Sequence, residues 1–388
     1  MIANCLGINE AGHLEISGCD TVRLAEQYGT PLYVMSEDEI RSVCRRYVAS
    51  FAKNYNGNGK PIYASKAFSC KEIYRIVLSE GLDVEVVSGG ELYTALQAGV
   101  PGSQIHFQGN NKSAGELTMA VENGVGDIVV DNLYELERLN AIAGEHSMVA
   151  PISFRIKPGI DAHTHEFIRT GQVDSKFGLD LASGEAMAAL RRAKAMEHVA
   201  VKGLHCHIHY TAQDDAIPYE EYMEDVSAMV HSTCEKLGLE LPRIYIEPGR
   251  SIVGEAGITL YTVGSIKEIP GVRTYVAIDG GMFDNPRYAL YQSAYTCCIA
   301  NKASQPADFT ATIAGKCCES GDLIQEHTLI QKPEEGDILA VLSTGAYNYS
   351  MASNYNRNLK PACVMVSKGE SRIVIKGETY EDLIRNDV

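Results

Sequence analysis

Between residues 61 and 248, short apolar runs alternate with helical stretches, and no other feature constrains this 388-residue chain as tightly. Strand-like runs stand at 61–67, 83–88, 105–110, 127–132, 150–157, 200–208 and 243–248. Helical patterns fill the intervals at about 70–80, 90–99, 113–123, 133–144, 183–196 and 219–237. In the last of these, Tyr222, Val226, Met229, Val230, Thr233, Cys234 and Leu237 make one stripe at helical spacing. Strands that alternate with helices imply a parallel sheet, and this many repeats imply an α/β fold of the TIM-type (β/α) barrel. Several runs end in polar or glycine-rich tips: Lys66, Ser88-Gly89-Gly90, Asn110-Asn111, Asp131-Asn132, His207 and Glu247. In a barrel these tips share the rim where active sites lie. About seven strands are counted where a complete barrel of this type has eight. The interval from His207 to Glu247 offers one helix and hides no further strand–helix unit.

After about residue 256 the texture changes. Runs at 258–263, 273–278, 308–313, 337–342, 362–366 and 371–375 read as strands separated by turns, a mostly β second domain. His13-Leu14-Glu15-Ile16 reads as a strand ahead of the barrel. The expected division is therefore a barrel over 31–255 and a β domain made of 1–30 and 256–388. A net charge of −16 argues against nucleic acid or an anionic membrane as a partner. No apolar run approaches the length of a membrane span. The start of the chain lacks the basic region and apolar core of a secretion signal. Eleven cysteines without framework spacing fit reduced thiols. These features point to a cytoplasmic protein and say little about a small substrate.

Lys66 ends the apolar run Pro61-Ile62-Tyr63-Ala64-Ser65. An ammonium taken out of water costs several kcal/mol unless it is paired or neutralised. Burial also lowers a lysine pKa and frees the amine to form an imine with a carbonyl. The plainer alternative is a side chain that reaches back into solvent. In His205-Cys206-His207-Ile208-His209, strand alternation places the three histidines on one face. That arrangement allows a metal site, a ring stacked on a cofactor, or a half-buried histidine with satisfied nitrogens. Glu247-Pro248-Gly249-Arg250 offers a carboxylate suited to a protonated ring nitrogen, a glycine for close backbone approach and an arginine fork for phosphate or carboxylate. A salt bridge between Glu247 and Arg250 is the alternative. Cys317-Cys318-Glu319-Ser320-Gly321-Asp322 is a poor metal set and suits a proton donor beside a group that reads an ammonium, or a polar turn. The tyrosine- and asparagine-rich run from Gly345 to Asn356 reads as an active-site wall or a subunit contact.

Taken together, Tyr63-Ala64-Ser65-Lys66-Ala67, Gly203-Leu204-His205-Cys206-His207-Ile208, Glu247-Pro248-Gly249-Arg250, Cys318-Glu319-Ser320-Gly321-Asp322 and Gly345-Ala346-Tyr347 occur in the order seen in the diaminopimelate decarboxylase family. That family belongs to the alanine-racemase-like, fold type III decarboxylases that use pyridoxal 5'-phosphate. The resemblance runs from about His13 to the C-terminus. It implies that Lys66 holds the cofactor covalently, that His207 stacks on its ring and that Glu247 keeps the pyridine nitrogen protonated. It places Gly249 and Arg250 near the phosphate and the substrate, with Arg250 on a substrate carboxylate. Arg287 and Tyr291 match the family's Arg-x-x-x-Tyr and would hold the distal carboxylate and its surroundings. Cys318 would protonate the carbanion, Glu319 would read the distal ammonium group, and Tyr347 would contact cofactor and substrate. A homodimer with shared sites is implied, and no metal. The expected reaction takes meso-diaminopimelate to L-lysine and CO2.

One departure from the family stands out. After His-Cys-His-Ile the family continues with Gly-Ser, a helix and a strand ending in a glycine triplet that binds the cofactor phosphate. Here Ile208 runs directly into His209-Tyr210-Thr211-Ala212-Gln213. The missing stretch agrees with the strand count. It leads us to expect an opened barrel, weaker cofactor binding and low turnover. Three alternatives follow from the sequence: a decarboxylase of a related diamino acid or polyamine precursor, a non-catalytic dimeric relative, and a metal-dependent barrel hydrolase built on His205 and His207.

Overall fold

The computed structural model describes residues 4–158, 175–207 and 218–388. Two compact units emerge, one of Arg46–Ser65 and Ile73–Glu247, the other of Met1–Arg45, Lys66–Glu72 and Pro248–Val388.

Among its described residues the first unit contains seven longer parallel strands, β1 (Gly59–Ala64), β2 (Asp83–Val86), β3 (Ile105–Phe107), β4 (Asp127–Val130), β5 (Ala150–Lys157), β6 (Val199–His205) and β7 (Ile244–Ile246). They pair in the order β6-β5-β4-β3-β2-β1-β7. A two-residue strand, Leu179–Asp180, also pairs with the end of β5. The order is that of a barrel with one place open. Chain order runs around the sheet, β7 has crossed to the far side of β1, and no pairing joins β6 to β7 among the described residues. The inner strands are largely buried because helices cover a parallel sheet on its outer face, and the polar side chains they carry, among them Asp83, His106 and Arg155, are paired or sit beside opposite charge. Val84, Val86, Ile105, Phe107, Val130, Ile152 and Phe154 are all buried.

Six helices follow the predicted pattern: α1 (Lys71–Ser79), α2 (Gly89–Gln97), α3 (Ala114–Glu122), α4 (Leu133–Glu145), α5 (Glu185–Lys194) and α6 (Tyr219–Leu237). Their starts explain several polar strand tips. Ser88 and Asn132 accept the Glu91 and Glu135 backbone N–H groups as N-caps, and Ser113 with Glu116 forms a capping box. The tips at 88 and 132 are thus helix starters, and β2, β3 and β4 stop earlier than their apolar runs. In α6 the predicted stripe divides. Met223, Ser227 and Cys234 are buried, and Tyr222 and Val230 pack with Met223 against Phe51, Tyr55, Ile244 and Ile246. Met229, Thr233 and Leu237 are exposed.

The second unit carries a nine-stranded sheet in the order 323–330, 309–314, 273–278, 257–269, 32–36, 362–367 and 370–375, with 338–341 pairing 257–269 and 297–299. The strand Leu14–Ile16 lies in a separate three-stranded sheet. Leu14 and Ile16 share a core with Leu32, Val34, Leu260 and Val364. The sequence pattern missed the strands Cys297–Ile299 and Leu323–Ile330 and the helix Glu37–Tyr55.

Candidate active site

The motifs fall into two groups, one per unit. In the barrel unit Glu247 directly follows β7. Its Oε1 accepts a hydrogen bond from the Gln108 side-chain amide, and its Oε2 lies 3.1 Å from His205 Nε2. Carrying its proton on Nε2, His205 donates to Glu247. Its Nδ1 is then a buried acceptor without a partner among the described residues. Gln108 is almost fully buried one residue past β3. Arg155 on β5, which burial pulls below the ordinary arginine range, adds positive charge near Asp131 and Glu247. The carboxylate is therefore oriented by two side chains at the ends of β3 and β6, with the Arg155 charge nearby, as a fixed acceptor requires.

β6 ends at His205, so Cys206 and His207 lie beyond the strand. The alternation that put three histidines on one face stops there. His207 is half-buried, and His209 lies outside the described residues. Gln108 was missed, because a glutamine past a three-residue strand carries no signal until the neighbouring strands fix its register.

In the second unit Lys66 occupies a one-turn 3-10 helix, Ser65–Ala67, that directly follows β1. The turn is tied down at its last residue, where the Ala67 carbonyl accepts from the Tyr347 N–H at 2.6 Å and the Ser350 hydroxyl at 3.3 Å. Tyr347 itself has φ 68, a left-handed backbone held by this contact. The guanidinium of Arg250 lies 4.7 Å from the centre of the Tyr347 ring. Arg287 lies 5.1 Å from the same ring and 4.9 Å from that of Tyr291. Burial and the Arg250 charge both pull Arg287 below the ordinary arginine range. Its Nε has no partner among the described residues. Neither arginine is paired with a carboxylate there. Two like charges at one aromatic ring suit an anion placed between them.

The approach to Arg287 is anchored by Asp284, which is fully buried. Its carboxylate accepts from the Tyr261 hydroxyl at 2.5 Å and the Gly281 N–H at 3.0 Å, and its carbonyl accepts from the Tyr33 hydroxyl at 2.5 Å. Burial outweighs these donors and pushes the carboxyl up to about 8. Asp322 does the same for the cysteine motif. It accepts from the N–H groups of Met282 at 2.6 Å and Cys317 at 2.7 Å. A Cβ on Gly315 would fall 2.2 Å from the Asp322 carboxylate, so a side chain there would break the anchor. Cys318 and Glu319 stand exposed on this loop. The Cys318 N–H donates to Asn356 Oδ1 at 2.7 Å. The anchoring roles of Asp284 and Asp322 were not read from the sequence, which contains too many aspartates to single out two. Gly249 is buried and Arg250 opens the short helix Arg250–Val253.

Comparison with known proteins gives this geometry a context. Residues 37–209 match the family described as pyridoxal-dependent decarboxylase, pyridoxal binding domain. The diaminopimelate decarboxylase of Bacillus subtilis (strain 168) is 45% identical over 98% of this chain and 96% of its own length. That of Staphylococcus aureus (strain COL) is 42% identical over 98% of both chains. The crystal structure of diaminopimelate decarboxylase from M. jannaschii in co-complex with L-lysine superposes with a TM-score of 0.91 at 34% identity, covering 100% of this chain and 98% of that one. The B. subtilis alignment spans 423 positions, whereas 98% of these 388 residues is about 380. About forty positions therefore face no residue here, and the S. aureus alignment, at 422 positions, shows the same deficit. On identity and coverage together, the chain belongs to the diaminopimelate decarboxylase family.

Proposed function

We propose that this chain decarboxylates meso-diaminopimelate to L-lysine and CO2 with pyridoxal 5'-phosphate as cofactor, as a carboxy-lyase of lysine biosynthesis. The observation that carries this reading is the full-length match at 45% identity to the B. subtilis enzyme. The residues present fit the cofactor at its ring and aldehyde ends. Glu247, held by Gln108 and His205, suits a protonated ring nitrogen, and Lys66 suits the aldehyde. At the phosphate end Gly249 and Arg250 offer backbone and one guanidinium. When bound, the cofactor supplies an electron sink for the pair left behind as CO2 departs.

The chain's own residues supply the rest. His207 would cover one face of the cofactor ring. Arg250 and Arg287, two guanidiniums without a carboxylate partner among the described residues, hold substrate carboxylates, and Tyr291 and Tyr347 set their direction. The Cys318 thiol delivers a proton to the carbon that has lost CO2. Glu319 accepts the distal ammonium group. Cys318 and Glu319 are exposed in the single chain, which suits a homodimer that shares its sites; the proposed biosynthetic role places the enzyme in the cytoplasm. Incubating the chain with cofactor and meso-diaminopimelate should release equal amounts of CO2 and lysine. Lys66→Ala should reduce release to background, and turnover retained in that variant would refute the role of Lys66.

A further inference from the structure

The two free edges of the barrel sheet, β6 and β7, are unlike its inner strands. Strands of a parallel barrel are covered on both faces and read as buried from end to end. β2 meets that rule at every position, and β5 at all but three. In β6, Val201 is 39% exposed and Leu204 58%, and in β7 Tyr245 is 40% exposed. α6, the helix between the two edges in sequence, shows the same asymmetry. It buries Met223, Ser227 and Cys234, while Met229 is 70% and Leu237 66% exposed. Met229, Thr233 and Leu237 stand four residues apart and make a second row on the helix surface. A helix with one buried and one bare apolar row is built to be covered on two sides.

We infer that the interval between β6 and β7 is a slot for one further parallel strand with its helix. Its natural occupant is the stretch of about forty residues that the relatives possess and this chain lacks. Three independent observations agree on the place. Among the described residues, the order of the seven longer strands is a barrel order interrupted between β6 and β7. The exposed apolar side chains lie on the elements that border that interruption. The match to the pyridoxal-binding family stops at residue 209, four residues past β6. About forty residues suffice for one strand, one helix and their loops, since a whole βαβ unit takes some thirty or more. The identity of the occupant rests on the family membership; the existence of the slot rests on the sheet alone.

The test reads the fold rather than the reaction, so a failure of the decarboxylase reading leaves its outcome unchanged. The unmatched residues of the B. subtilis relative are inserted after Ile208, and the chimaera is compared with the 388-residue chain by thermal unfolding and by binding of a fluorescent apolar dye. A filled slot raises the midpoint by several degrees and lowers dye fluorescence several-fold. An unchanged midpoint together with unchanged dye binding overturns the inference. Because an insertion can fail to fold, Met229→Lys with Leu237→Lys is made in the 388-residue chain as well. If the row is bare, dye fluorescence falls and the midpoint stays within a degree or two. A midpoint that drops steeply would show the row to be packed already and would overturn the slot. In a folded chimaera the same two changes should lower the midpoint, since they then meet the restored helix.

Discussion

His106 shows how much one side chain can set the behaviour of the barrel floor. Its two ring nitrogens lie 3.6 Å from Asp83 and 3.6 Å from Asp127, at the first residues of β2 and β4. Burial pulls the imidazole pKa down, but the two carboxylates outweigh it and hold it up at about 9, against 6.5 in an unfolded chain. A group whose folded pKa is raised stabilises fully below the unfolded value and loses that contribution as pH rises through the folded one. We therefore expect stability to decline between pH 6.5 and pH 9.5. His106→Gln should weaken the chain by about 1–3 kcal/mol at pH 6.5 and flatten the decline. Urea denaturation at the two pH values measures both, and equal slopes for variant and parent would refute the role. The sequence could not show this cluster. His106, Asp83 and Asp127 stand 23 and 21 residues from one another, and only the parallel register of β2, β3 and β4 brings them together.

At the scale of elements the alternation of apolar runs was enough to place the seven longer barrel strands and six helices within a few residues, because each run is local and strongly periodic; the two-residue strand Leu179–Asp180 was too short to show. What it could not show is which side chains close the junctions. Lys112, just ahead of α3, is the clearest case. Its ammonium donates to the Gly109 and Val129 carbonyls, each at 2.8 Å, and lies 2.8 Å from Glu135 in the first turn of α4. Both charges are almost wholly buried. Burial lowers the pKa of the lysine and raises that of the glutamate, and each charge opposes that effect on the other. Breaking such a pair strands a buried charge and costs about 3–5 kcal/mol, whereas replacing both partners by apolar groups of similar size is often neutral. Lys112→Ala should therefore be strongly destabilising. Lys112→Met with Glu135→Leu should recover most of the loss, read as the urea midpoint. A double variant as weak as the single would show that the lysine acts through its carbonyl contacts alone. The exposed half of the α6 stripe is the complementary lesson: helical spacing revealed an apolar surface but not whether this chain contains the element that covers it.

For the whole molecule, the position of the cysteine loop bears on how many copies make one site. Cys318 and Glu319 stand exposed, on a loop fixed from beneath by the buried Asp322. On the proposed reading this firmly held, bare loop meets the Lys66 region of a second copy. Lys66→Ala and Cys318→Ala should each be inactive alone. Unfolded together and refolded as a mixture, they should form mixed dimers in which one of the two sites has both residues intact. With random pairing of two subunits, half of the dimers are mixed, so about one quarter of all sites are restored. Lysine production near that fraction of the parent's rate would establish sharing. A mixture as inactive as its components, while the parent refolded alongside regains its rate, would place Lys66 and Cys318 of one site in the same chain. The comparison is internal to this chain, so it holds even if the open place between β6 and β7 leaves the parent's own turnover low.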